Sequence, residues 1–297
     1  MTRHLLDVDD LTPTELEEVL ALGQARTLHR ALEGQGAVLL FEKPSARTRH
    51  STEMAVVQLG GHPIYVRPDE VDIDTRETAE DLARTLSQFH RVICARVHDH
   101  QVLERMAEAG SVPVVNLLSD RAHPLQAIAD LLTMAETTGL DGQTLAWVGD
   151  FSNVARSLTV AATMAGIAVR VASPDGYGPS AEDVARIEGL GGSLSRGEDP
   201  VAAVEGATVV TTDAWYSMGQ EATAAHRRPL FEPYRVDASL MARADHDAVF
   251  LHCLPAHRGD EVTDEVLDGP ASRVWPQVAN RLHAARAVLG WLLGVRP

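Results

Sequence analysis

Ala37-Val38-Leu39-Leu40-Phe41-Glu42-Lys43-Pro44-Ser45-Ala46-Arg47-Thr48-Arg49 is the stretch on which the fold turns. The apolar run 37–41 is too short for a helix and shows no alternation, so it reads as a strand buried on both faces. A polar, cation-rich segment follows, and then a helical stretch starting near Arg49. Strands buried on both faces belong to parallel sheets whose crossovers are helices.

The same alternation runs outward from this point. Upstream, Thr12-Pro13-Thr14-Glu15 is a capping-box pattern with Pro at the first helical position, predicting a first helix that carries Leu16, Val19 and Leu20 and closes near Gly34. Downstream, apolar runs at 64–66, 92–95 and 112–117 alternate with helical stretches starting near Asp74 and His98. Pro124 then suits the first turn of a helix that runs to about Glu136 and is expected to bridge two lobes. Beyond Gly139 and Gly142 the pattern restarts, with strands expected at 145–148, 168–172, 209–212 and 248–251. A last amphipathic stretch, 278–293, carries Leu282, Ala285, Leu289 and Leu292 at helical spacing and is expected to return to the first lobe. The expected fold class is α/β: two doubly wound parallel-sheet lobes joined by helices. Residues 1–136, completed by 277–297, form the first domain, and 137–276 the second.

Composition fits this division and narrows the partners. A chain of 297 residues is long enough for two hydrophobic cores. No apolar run approaches the roughly 18 residues of a membrane span. The opening Met1-Thr2-Arg3-His4-Leu5-Leu6-Asp7 reaches an acidic residue before a signal-peptide core develops, so a cytoplasmic protein is expected. Cys94 and Cys253 are too few for a disulfide framework, and reduced thiols follow. A formal net charge of −16 argues against nucleic acid or an anionic membrane as partner, because both need clustered positive charge. An anionic ligand must therefore be held by a local basic pocket.

Ligands of open parallel sheets sit beyond the carboxyl ends of the strands, so the residues after each run matter most. Ser45-Ala46-Arg47-Thr48-Arg49 brings free N–H groups of a helix start, guanidinium groups and hydroxyls together, a set suited to a phosphate-sized dianion. A solvated basic loop is the plainer alternative, and the Gly-rich spacing of a Walker loop is missing. Arg96 ends one run, and His123 begins a helix with Gln126 one turn on. With Arg47 they offer cations for a phosphate, donors for an adjacent carbonyl and a side-chain amide for an NH₂ group. Each also has a plain structural alternative, a helix cap in the case of His123. In the second lobe, Asp213-Ala214-Trp215-Tyr216-Ser217-Met218-Gly219 offers a carboxylate and a hydroxyl to an amino acid, or a simple capping loop. Leu251-His252-Cys253-Leu254-Pro255-Ala256-His257-Arg258 leaves three readings open: zinc ligands, a Cys–His nucleophile, or a cysteine lining a pocket.

Assembled in order, these segments resemble the ornithine carbamoyltransferase family over the whole chain. The resemblance rests on Ser45-Ala46-Arg47-Thr48-Arg49, His123-Pro124-Leu125-Gln126, the 213–219 segment, His252-Cys253-Leu254-Pro255 and Asn280-Arg281. The first two are shared with aspartate carbamoyltransferases. The Ser-Met-Gly loop and His-Cys-Leu-Pro look like the ornithine branch. The resemblance implies that Ser45, Ala46, Arg47, Thr48, Arg96, His123, Gln126 and Arg281 hold carbamoyl phosphate in the first domain. It further implies that Asn153, Asp213, Ser217, Met218, Cys253 and Leu254 hold ornithine in the second. Cys253, Asp213, Arg96 and His123 are the expected catalytic groups, in a direct attack of the neutral δ-amine without a covalent intermediate. The products are citrulline and phosphate, in arginine biosynthesis or its catabolic reverse. Neither metal nor organic cofactor is implied, and a homotrimer or a multiple of trimers is.

The chain departs from the family pattern at several points. Ala46 stands where Thr is usual, Leu125 where Cys is frequent, and Ala279 where Glu is frequent. Gly149-Asp150-Phe151-Ser152-Asn153 replaces Gly-Asp-Gly-Asn-Asn, which puts bulk beside the expected acceptor pocket. Asp72 falls near a loop that in the family reaches a neighbouring subunit. These departures motivate two alternatives: a carbamoyltransferase for another amine, such as putrescine or a modified amino acid, and a weakened paralogue that binds without turnover. A dehydrogenase-like protein fits the fold class, but Val148-Gly149-Asp150-Phe151-Ser152 lacks the glycine fingerprint.

Overall fold

The computed structural model describes residues 2–216 and 224–297. The opening run lies in β1 (Gly36–Phe41), buried from Ala37 onward. β1 pairs in parallel with β2 (His62–Val66) and β3 (His90–Arg96), and β3 pairs with β4 (Val114–Leu118), giving the order β2-β1-β3-β4. The helices of this unit are α1 (Pro13–Gln24), α2 (Ala46–Gln58), α3 (Pro68–Val71), α4 (Ala79–Leu86) and α5 (His100–Ala109). One core layer joins Val38, Leu40, Ile93 and Val114 of the sheet to Leu82, Leu103 and Met106 of the helices. Burying each such side chain contributes about 1.5–3 kcal/mol.

After α6 (Pro124–Thr137) a second parallel sheet contains β5 (Thr144–Val148), β6 (Ala168–Ala172), β7 (Leu194–Gly197), β8 (Val209–Thr212) and β9 (Val249–His252). Its order is β7-β6-β5-β8-β9. Its helices are α7 (Asn153–Met164), α8 (Ala181–Gly189), α9 (Pro200–Val204), α10 (Ala224–Phe231), α11 (Ala238–Met241) and α12 (Asp264–Leu267). Ala146, Val148, Val210 and Phe250 pack with Val204, Val236 and Val266 on one face. The final helix is α13 (Val274–Leu292). The chain divides into one compact unit of residues 1–132 with 279–297 and another of 133–278.

The two doubly wound parallel sheets are those expected. The direction of strand addition reverses between β1 and β3 in the first unit and between β5 and β8 in the second, which makes the carboxyl ends of those strands the switch points.

Local boundaries differ from the sequence reading where tertiary contacts intervene. α1 stops at Gln24, ten positions short of Gly34. The carbonyls of Ala25 and Arg26, which would continue it, instead accept hydrogen bonds from the Arg286 guanidinium of α13. α2 starts at Ala46 rather than near Arg49, because Ser45 caps it. The helix placed near Asp74 begins at Ala79: Asp74 has φ +61° and its carboxylate accepts the Ala79 N–H at 3.3 Å. The short α3 and the edge strand β7 were not expected at all.

Candidate active site

In the first unit the groups gather beyond β1 and β3. Ser45 is the N-cap of α2, its hydroxyl accepting the Thr48 N–H at 3.4 Å, so Ala46, Arg47 and Thr48 form the first helical turn. Free N–H groups and the positive end of the helix dipole face outward from such a turn. Arg47 is half-buried and Thr48 buried. Arg96 is the last residue of β3 and is buried. Glu42 ties the two switch-point loops together, its N–H donating to Arg96 O at 2.8 Å and its carboxylate accepting the His98 N–H at 2.6 Å.

His123 and Gln126 come from the start of α6, and Arg281 from α13. Arg281 donates to the Thr48 hydroxyl at 3.0 Å and to Gln126 Oε1. The Gln126 NH₂ donates to Asp130 at 2.7 Å, one turn further along α6. This pair of contacts fixes the amide orientation, and the Gln126 carbonyl keeps its second lone pair for another donor. Burial, and then the charges of Arg281, Arg96 and Arg47, hold the pKa of the His123 imidazole well below its ordinary value of 6.5. The ring is therefore neutral at pH 7, a hydrogen-bond donor among cations. Expected residues Ser45, Ala46, Arg47, Thr48, Arg96, His123, Gln126 and Arg281 all belong to this unit, with Arg281, Thr48 and Gln126 in direct contact.

In the second unit the groups gather beyond β5, β8 and β9. Gly149 turns the chain after β5 with φ +121°, where a Cβ would also stand 3.3 Å from the Thr212 hydroxyl. Ser152 caps α7, and Asn153 is the first residue of that helix. Asp213, directly after β8, is an acceptor for three donors: Ala214 N–H at 2.8 Å, Cys253 thiol at 3.2 Å and Ser152 hydroxyl at 3.3 Å. Phe151 is buried, its N–H donating to Tyr177 O at 2.9 Å. The Asp150 carboxylate pairs with Arg227 of α10, whose guanidinium lies over the rings of Tyr177 and Phe231. Burial raises the Asp150 pKa, with Arg227 opposing and Asp213 reinforcing the shift.

The contacts of His252 separate the three readings of the 251–258 segment. Its Nδ1 lies 2.9 Å from the Leu254 N–H and accepts from it, so Nε2 carries the proton and faces Glu261 at 3.1 Å. Both partners are fully buried. The ring is thus committed to holding Leu254, which sits at φ +59°, a conformation a branched side chain rarely adopts. The Cys253 thiol donates to the Asp213 carboxylate at 3.2 Å. The pocket-lining reading fits these contacts. Ser217 and Met218 lie outside the described residues. Asp72 is exposed at the C-cap of α3.

Sequence reasoning did not single out Glu42, Asp130, Glu261 or Arg227. Their roles depend on what lies across the fold, and only Asp130 carries a local signal, sitting one helical turn from Gln126.

Two doubly wound units, one with a cationic cluster beyond its switch point and the other with a thiol–carboxylate pair beyond β8 and β9, define a two-domain α/β protein with an anion-binding and an amine-binding candidate site. Residues 3–136 match the aspartate/ornithine carbamoyltransferase carbamoyl-P binding domain, and residues 141–292 the Asp/Orn binding domain of the same family. Among curated relatives, ornithine carbamoyltransferase of Acidothermus cellulolyticus is 48% identical, with 99% of this chain and 97% of that protein covered. That of Pyrococcus abyssi is 45% identical over 98% of this chain and 96% of the relative. The solved ornithine carbamoyltransferase from Pyrococcus furiosus superposes with a TM-score of 0.94 at 44% identity, covering 99% of this chain and 97% of the other. The chain belongs to the aspartate/ornithine carbamoyltransferase family.

Proposed function

We propose that this protein transfers the carbamoyl group of carbamoyl phosphate to the δ-amine of L-ornithine, giving L-citrulline and phosphate. The observation that carries most weight is the buried set Arg281, Thr48 and Gln126 beside a neutral His123. It combines cations for a phosphate, donors for a carbonyl oxygen and an amide acceptor for an NH₂ group, the features of carbamoyl phosphate. Ornithine as acceptor is supported by relatives 45–48% identical that are named ornithine carbamoyltransferase.

In this reading the phosphate lies on the first turn of α2 with Ser45, Ala46 N–H, Arg47 and Thr48, and Arg281 adds charge. Thr48, Arg96 and His123 donate to the carbonyl oxygen, and Gln126 accepts from the carbamoyl NH₂. In the second unit Asn153, Asp213, Ser217, Met218, Cys253 and Leu254 hold ornithine. A bare carboxylate favours the ammonium form of an amine, which has no lone pair for attack. Asp213 has its charge shared among the Cys253, Ala214 and Ser152 donors, which leaves less of it to favour the ammonium form of the amine. The neutral amine forms the new C–N bond at the carbamoyl carbon, the oxyanion is stabilised by the three donors, and phosphate departs with the C–O bond electrons. The amine proton is released to solvent or phosphate. No bond to the enzyme forms.

Among the described residues no helix is long and apolar enough to cross a membrane. A cytoplasmic location and a homotrimer, or a multiple of trimers, complete the reading; light scattering on the purified protein tests the assembly.

The deciding assay supplies purified protein with carbamoyl phosphate and ornithine, with putrescine, lysine and aspartate as parallel acceptors. Citrulline is the expected product, and the other amines are expected to stay unmodified. Turnover on another amine with none on ornithine would remove the acceptor assignment and keep carbamoyl transfer. Absence of any transfer, with carbamoyl phosphate still bound, would identify a binding paralogue.

A further inference from the structure

We infer that Asn116 is a positioning residue for His123, acting through the turn that delivers the imidazole. The functional half of this inference rests on the reading of His123 as a donor to the carbamoyl oxygen.

Asn116 lies in β4 where the ladder to β3 slips: Ala95 pairs with Asn116, but Arg96 pairs with Leu118. Its side chain is fully buried and takes over where the ladder breaks. The amide nitrogen donates to Leu6 O at 2.8 Å and faces Ser119 Oγ and Ala122 O, each at 3.3 Å. Two of these three are backbone carbonyls, which can only accept, so the amide has one orientation. The backbone N–H of Asn116 donates to Leu5 O at 2.8 Å, tying the same residue to the N-terminal segment a second time.

The turn that Asn116 grips ends at His123. Ala122 O also accepts the Ser119 N–H at 2.9 Å, and the Ala122 N–H donates to Ser119 Oγ at 3.2 Å. Both polar groups of Ala122 are thereby pinned. On its other side, His123 O accepts the N–H groups of Gln126 and Ala127 at 3.0 and 3.3 Å, the first bonds of α6. The His123 backbone is held between two fixed peptide groups. Ser119 Oγ is held in turn by the buried His100 ring, 2.8 Å from Nδ1. A leucine of similar size would fill the space of Asn116 but could not grip a turn, and a buried amide carries a desolvation cost that an apolar side chain avoids.

The test compares Asn116→Asp, which keeps the size but sets an acceptor against two carbonyls, with the pair Ser119→Ala and Ser119→Thr. Each variant is measured for thermal midpoint, for kcat and both KM values, and for the ¹⁵N resonances of the His123 ring, assigned through His123→Asn. Asn116→Asp is expected to lower kcat about 100-fold, the scale set by misplacing a catalytic group by about 1 Å. The ornithine KM is expected to stay within about twofold, since the acceptor groups belong to the other unit. Ser119→Ala is expected to lose about 10-fold in kcat and Ser119→Thr to recover most of it, with the ring resonances moving in step. Should Asn116→Asp fail to fold, the serine pair decides. Folded variants with unchanged His123 resonances would overturn the positioning role. Shifted resonances with unchanged kcat would keep it and remove His123 from the proposed chemistry. The ring resonances test the clamp even if the wild-type protein forms no citrulline.

Discussion

Arg281 on the last helix donates a 3.0 Å hydrogen bond to the Thr48 hydroxyl, across 233 positions of sequence. A second arm of the same guanidinium reaches Gln126, so one side chain organises two of the four expected partners of the carbamoyl group. Arg281→Lys keeps the charge but loses the planar fork. The carbamoyl phosphate KM is expected to rise about 10–100-fold, the worth of one or two charge-assisted bonds, with the ornithine KM unchanged. Steady-state kinetics with each substrate varied in turn check the separation.

The Cys253–Asp213 pair makes the reciprocal prediction. Cys253→Ala removes one of three donors from the Asp213 carboxylate and is expected to lower kcat/KM for ornithine about 10–100-fold. Cys253→Ser, which retains a donor, is expected to lose less. Binding of carbamoyl phosphate, followed by calorimetry, should remain at the wild-type level in both. A fully inactive Cys253→Ala protein, together with a covalent carbamoyl adduct accumulating on Cys253→Ser, would contradict direct transfer.

The suppressed pKa of His123 has a stability consequence with a definite sign. Its folded value lies well below the ordinary 6.5, so between those limits the unfolded chain binds a proton that the folded chain does not. The contribution of this residue is complete above pH 6.5 and is lost as pH falls from there towards the folded value. The thermal midpoint of the wild-type protein is therefore expected to fall faster below pH 6.5 than that of His123→Asn, measured by calorimetry across pH 4.5–7.5 in about half-unit steps.

Arg286 is a buried guanidinium whose partners are the carbonyls of Ala25 and Arg26 and the Gln58 amide oxygen at 3.1 Å. Replacing it with Met leaves part-buried acceptors at the end of α1 to solvent and removes their shared donor. The expected cost is about 1–2 kcal/mol, the low end of the scale for losing hydrogen bonds that solvent can partly replace. The urea midpoint should drop accordingly, while the ornithine KM of the folded protein should not move.

The elements legible in the sequence are those whose signal is local. The run 168–172 coincides with β6 and 209–212 with β8, because short stretches rich in β-branched residues and bounded by Gly166 and Pro174, or by Gly206 and Asp213, mark where a strand starts and stops. β7 was missed because Leu194-Ser195-Arg196-Gly197 is an edge strand that buries little and so lacks such a run. α1 was read too long because its end is set by Arg286, some 260 positions away, which no window around Gly34 contains. The site divides along the same line. Cations and carboxylates directly after strands were visible from position alone, and His252 was visible as a chemical type. Its actual job, holding Leu254 at positive φ through Nδ1, depends on Glu261 and a loop closure that spacing does not encode. Asn116 and Ser119 look like ordinary strand-end and turn residues until their shared grip on Ala122 is seen.

The contact between Arg281 and Gln126 also orders events during synthesis. A ribosome that has made β1 to β9 has still not made Arg281, and the Gln126 carbonyl waits for a partner 155 codons downstream. The growing chain can fold a parallel sheet around β1 early, yet the proposed phosphate cradle gains Arg281 only when α13 emerges. A truncated translation product would therefore carry most of the architecture of the first unit and compete poorly for the anionic substrate.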